Sequence, residues 1–124
     1  CKALKFNEEL GNEVTVMYSG IDTFDIAYIA GITHNLDGMF SCSAALAKSM
    51  YDKLKNGDYA GGRKELAKII RLRNILGSVG VFTGFTAAMN LLGFEGNFSP
   101  DYVKEPGERE RSTVGDCLKE IGLL

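Results

Sequence analysis

Leu4, Phe6 and Leu10 are interleaved with Lys5, Glu8 and Glu9 ahead of Gly11-Asn12, which predicts the final turns of an amphipathic helix. Residues 14–18 are β-branched and aromatic and lie between Gly11-Asn12 and Ser19-Gly20, the pattern of a short buried strand. Asp22 is placed to cap a helix that carries Phe24, Ile26, Ala27 and Ile29 and ends at Gly31. Residues 32–35 then read as a polar turn, with His34 as a solvent-exposed loop residue, and 36–40 as a second strand. A further helix begins at Ser41 or Ser43, repeats Leu46, Met50, Tyr51 and Leu54 at helical spacing, and stops at Asn56-Gly57.

Beyond Gly57 the period is helical only. Residues 58–76 carry Leu66, Ile69, Ile70, Leu72 and Ile75; 81–92 are apolar and glycine-interrupted; 113–121 close the chain. Residues 93–112 hold Pro100, Pro106 and a mixed-sign charge cluster, and read as an extended surface arm. Strand, helix, strand, helix implies an α/β architecture with a parallel sheet and helices outside. Two parallel strands leave both outer edges open, so the pattern calls for more strands. The expectation is the last two β/α repeats of a (β/α)8 TIM barrel in residues 1–57, then a C-terminal helical extension over 58–124.

Composition narrows the possible partners. The chain has 124 residues, 45% hydrophobic and 24% charged, with a formal net charge of −2. Such a balance offers no basic field for a phosphate backbone, so nucleic acid is not an expected partner. No apolar run approaches the ~20 residues that cross a bilayer, so no membrane partner is expected. Cys1, Cys42 and Cys117 lack metal-ligand spacing, and an odd number argues against a disulfide framework, pointing to a reducing cytoplasm. No P-loop, dinucleotide fingerprint or zinc pattern is present, and neither a metal nor a cofactor is expected. Cys1 leads directly into a helical pattern, which suggests a piece of a longer protein; a processed chain or the ordered portion of something longer fits the same start.

The strand ends carry an ordered set of motifs: Tyr18-Ser19-Gly20-Ile21-Asp22, Asp37-Gly38-Met39-Phe40-Ser41-Cys42-Ser43, and Gly80-Val81-Phe82-Thr83-Gly84. In that order and spacing the chain resembles the C-terminal portion of the N-acetylneuraminate lyase and dihydrodipicolinate synthase superfamily, the pyruvate-dependent class I aldolases. The Gly-Val-Phe-x-Gly stretch favours the lyase side. Asn56-Gly57-Asp58 and the ending from Leu118 to Leu124 are also similar to the family, and the likeness is weakest over 98–113.

The resemblance implies an imine mechanism. A lysine at the end of the sixth strand condenses with the ketone of pyruvate, and the iminium serves as an electron sink for making or breaking a C–C bond, with a tyrosine relaying protons. Both residues would lie upstream, the lysine a few positions before Cys1, so no catalytic residue is expected in this chain. Lys2 and Lys5 read as surface lysines on a helix. The resemblance carries over a substrate-binding set instead: Gly20, Asp22 and Thr23 after the first strand, and Ser41, Cys42 and Ser43 after the second. Asp22 serves equally as a hydroxyl acceptor or as a helix cap. Thr23 stands where sialic-acid-cleaving members generally carry Glu, and Cys42 where a serine contacts the substrate; Cys42 also reads as a small buried filler. These departures put N-acetylneuraminate itself in doubt. Phe82 and Phe85 read as packing, with a subunit contact as the alternative, and Gly80 and Gly84 as sites of close helix approach.

The expected function is thus part of a Schiff-base aldolase or lyase acting on a 2-oxo acid, in a homo-oligomer. A dihydrodipicolinate synthase-like condensation and a sugar-acid dehydratase are alternatives. A non-catalytic assembly piece of a split barrel, or a flavodoxin-like module with Ser19-Gly20 facing a phosphate, belong to other classes.

Overall fold

Tyr18 and Asn35 stand opposite each other in two parallel strands, β1 (Met17–Ser19) and β2 (His34–Leu36), joined through helix α2 (Phe24–Ile29). The computed structural model describes residues 2–124; Cys1 lies outside them. Helix α1 (Lys2–Glu9) precedes this unit, and a 3₁₀ turn over Gly38–Ser41 follows it, leading into α3 (Ala44–Lys55), α4 (Tyr59–Ser78), α5 (Val81–Leu91) and α6 (Glu108–Glu120). Among the described residues the sheet has two strands, so each keeps one open edge.

The strands alternate as pleat geometry requires: Tyr18 and Asn35 are half-buried, while Met17, Ser19, His34 and Leu36 are exposed. Tyr18 packs against the apolar core. Its ring begins an aromatic chain through Phe24, Tyr28 and Tyr51, with centroids 6.2, 6.1 and 6.0 Å apart, that ties β1 through α2 to α3.

Leu66, Ile69, Leu72 and Leu76 form a fully buried stripe along α4. They fall at spacings of three and four residues, so one face of the helix enters the core. Leu46, Met50 and Leu54 of α3 and Val114 and Leu118 of α6 complete that core, which continues without a break across Gly57-Asp58. Gly62 lets α3 and α4 close up: a Cβ there would stand 2.6 Å from Leu54 Cδ2. At Gly84 a Cβ would stand 2.8 Å from Leu76 Cα, so α5 crosses α4 backbone to backbone. Gly80 has a different role from the close approach expected of it, since its φ of 97° turns the chain into α5.

Several boundaries differ from expectation, each for a local reason. The second strand ends at Leu36 because the Asp37 carboxylate accepts from Met39 N at 2.8 Å, bending the chain into the 3₁₀ turn. His34 accordingly lies in β2 and not in a loop. The first strand is Met17–Ser19, leaving Val14 exposed. Helix α6 begins five residues before the expected 113, because the Glu110 carboxylate accepts from Gly107 N at 3.0 Å and Arg111 Nε donates to Pro106 O at 3.2 Å. Among the described residues no helix is long and apolar enough to cross a membrane.

Candidate functional site

In a parallel βαβ unit both strands end on the same side, and the loops leaving those ends share one surface. Here the two loops are residues 20–23, after β1, and 37–43, after β2. Gly20 opens the first with φ 102°, and its N–H reaches Leu36 O at 3.5 Å. A side chain at Gly20 would meet no neighbour within 4 Å, so the backbone conformation and not crowding requires glycine there.

Asp22 follows, 60% exposed at its side chain, and pairs with Arg73 Nη1 at 2.7 Å. This bond draws its carboxyl below the ordinary range, against a smaller opposing effect of desolvation, and raises the arginine in turn. Asp22 is therefore not the helix cap: Thr23 occupies the cap position of α2 and makes no side-chain cap bond. Thr23 Oγ1 is instead 2.7 Å from Tyr18 Oη. Arg63 reinforces the loop, with Nη1 donating to Asp22 O at 3.3 Å and to Asp25 Oδ1 at 3.2 Å. Thus α4 supplies two arginines, Arg63 and Arg73, that hold the loop after β1.

The second loop divides. Ser41 is exposed, whereas Cys42 and Ser43 are 2% and 1% exposed. Both buried side chains donate to Met39 O, Ser43 Oγ at 2.7 Å and Cys42 Sγ at 3.4 Å, which locks the 3₁₀ turn onto the start of α3. Burial pushes the Cys42 thiol up to about 11, so it stays protonated at neutral pH and is not a nucleophile. Among the described residues no hydrogen bond links the 20–23 loop to Ser41, Cys42 or Ser43. The exposed members of the expected set are Asp22, Thr23 and Ser41.

Two contributors escaped sequence reasoning. Arg73 sits on α4, 51 positions after Asp22, and nothing local marks it as a partner. Phe98 belongs to the arm, yet it joins Phe82 and Phe85 of α5 around a hollow of about 490 Å³ that also touches Asp37 and Arg73. His34 lies on the exposed face of β2, with Nδ1 3.2 Å from Thr33 Oγ1. Among the described residues no three of His, Cys, Asp and Glu converge as metal ligands.

Comparison of this chain with protein-family models, curated proteins and solved structures finds no match to any of them.

Proposed function

We propose that this chain is the C-terminal part of a pyruvate-dependent, Schiff-base-forming aldolase or lyase built on a (β/α)8 barrel. The observation that carries the reading is the placement of the Gly20-Ile21-Asp22-Thr23 and Asp37-Gly38 loops on one side of two adjacent parallel strands. In barrels that side is the active-site mouth. The upstream part of the same barrel would bring the lysine and the relay tyrosine, and this chain would contribute contacts to the far end of the substrate. The open strand edges support a continuation of the sheet. A cytoplasmic homo-oligomer acting on a small 2-oxo acid is the corresponding setting.

The chemistry is directly testable. A lysine amine that condenses with C2 of pyruvate loses water to form an iminium, and borohydride reduces that C=N bond to a stable secondary amine. Treating the upstream segment joined to this chain with pyruvate and borohydride should give a pyruvate-derived mass adduct on one upstream lysine. Unmodified protein under saturating pyruvate would sink the imine reading. A second reading, a non-catalytic assembly piece, draws on the continuous core shared by α3, α4, α5 and α6, which closes within the chain. It predicts a folded chain that binds the upstream segment without conferring pyruvate trapping.

A further inference from the structure

Phe82, Phe85 and Phe98 play no part in the imine chemistry, yet they wall a hollow beside the loop that leaves β2. Val81 and Met39 complete its apolar lining. Three hydroxyl side chains hold the arm against α5 and so create it. Ser99 Oγ donates to Phe82 O at 2.9 Å, Thr86 Oγ1 accepts from Phe98 N at 3.2 Å, and Thr83 Oγ1 donates to Lys104 O at 3.0 Å. A built wall of this kind differs from apolar side chains scattered on a surface.

The polar end of the hollow sets the charge of its occupant. Arg73 and Asp37 stand there, and Arg73 is already matched by Asp22 at 2.7 Å. One guanidinium against two carboxylates leaves no unmatched cation among the described lining residues for a carboxylate or phosphate. A hydroxyl or carbonyl group suits the pair, because it accepts from the guanidinium, and a hydroxyl also donates to Asp37. Size points the same way: roughly 150 Å³ accommodates a benzene ring, and this hollow of about 490 Å³ takes an aryl group with a short substituent.

Three of the groups expected to meet a polyol tail are meanwhile committed elsewhere, with Ser41 the exposed exception. Thr23 is bonded to Tyr18, and Cys42 and Ser43 donate to Met39 O. We propose that the hollow binds the body of an uncharged aromatic aldehyde, making an aryl aldehyde the reaction partner of the 2-oxo acid. The role of the occupant rests on the aldolase reading; the preference for an uncharged aromatic does not.

Benzyl alcohol, benzoate and glycerol titrated separately into the 124-residue chain, followed by ¹H–¹³C spectra, test the preference. Benzyl alcohol should shift the Val81 methyls and the rings of Phe82, Phe85 and Phe98, binding at least about tenfold tighter than either other probe. Phe82→Asp and Phe98→Ser replace partly exposed residues, so each should keep the helical circular dichroism while weakening benzyl alcohol about tenfold or more. Shifts confined to other residues, or glycerol or benzoate binding as tightly as benzyl alcohol, would overturn the proposal. Aryl binding without a pyruvate adduct removes the aldolase reading alone; an adduct without aryl binding removes the aromatic preference alone.

Discussion

Leu72 in α4 and Leu36 in β2 are leucines in regular elements, yet the first is 0% exposed and the second 67%. Helix α4 packs against α3, α5 and α6. Strand β2 has β1 on one edge and no described strand on the other. Backbone polarity explains the contrast. A helix satisfies its own N–H and C=O groups and needs neighbours only for its apolar stripe, whereas a strand needs neighbours for its backbone as well. Helices α3 to α6 therefore close a core from within the chain, while the βαβ unit leaves Met17, Ile26, Ile29 and Leu36 exposed. Asn35 marks the same incompleteness, since both polar atoms of its amide are buried without a partner among the described residues.

The contrast breaks most visibly if the two leucines are truncated. Leu72→Ala should cost about 3–4 kcal/mol, read as a lower urea midpoint with an unchanged slope, because it opens a cavity among packed helices. Leu36→Ala should fall within about 0.5 kcal/mol of the parent, since Leu36 is already 67% exposed. Equal losses at the two sites would mean that β2 is covered in solution by something outside the described residues.

Gly84→Ala is the next largest. Its methyl would meet the Leu76 backbone, which cannot rotate away, so α4 and α5 must separate; about 1–3 kcal/mol is expected. At Gly20, where an added Cβ meets nothing, Gly→Ala costs only the left-handed backbone conformation, about 1 kcal/mol. Thermal unfolding of the two variants separates crowding from backbone strain.

Glu65 sharpens the comparison through pH. It is buried on α4 between Lys53 and Lys68, the latter 2.9 Å away. Its bond to Lys53 holds the carboxyl below the ordinary 4.5, with burial opposing the shift. A carboxyl lowered on folding adds stability that is fully present above its unfolded value and is lost as pH falls through the folded one. Glu65→Gln should therefore cost about 1–2 kcal/mol at pH 7, moderated because both lysines stay partly solvated, and progressively less below pH 4.5. A penalty that grows on acidification would contradict this sign.

How far these features were legible in the sequence follows the same divide. The apolar period of α4 names its buried face, because Leu66, Ile69 and Leu72 repeat at helical spacing. The order strand, helix, strand was also legible, from β-branched and aromatic runs separated by turn residues. The end of β2 was not. Residues 36–40 are apolar enough for a strand, and the Asp37 bond that redirects the backbone competes with sheet pairing only once the fold places Met39 in the core. The exposed polar residues after β1 were found by position, but Arg73 was not, since an ion pair across 51 residues leaves no local pattern. Phe98 was hidden for the same reason: an arm rich in charge and proline reads as solvated until Thr86 and Ser99 are seen to anchor it.

The smallest expected effect tests whether the loop after β1 is held by α4. Asp22 is exposed, so removing its charge should leave the unfolding midpoint nearly unchanged, in contrast to every core substitution above. The informative measurement is the Asp22 carboxyl itself. Its ¹³C titration should centre below the ordinary 3.8, because the bond from Arg73 favours the ionised form. In Arg73→Gln that midpoint should rise, since the charged donor and its attraction are gone while desolvation remains, opposed only by a backbone hydrogen bond. Protonating Asp22 in the parent should accordingly loosen its bond to Arg73 as pH falls through that midpoint, with the amides of 20–23 moving together. A midpoint that ignores Arg73→Gln would mean that the loop is set by β1 and Arg63 alone, and that the Asp22 carboxylate is not a link between α4 and the strand ends.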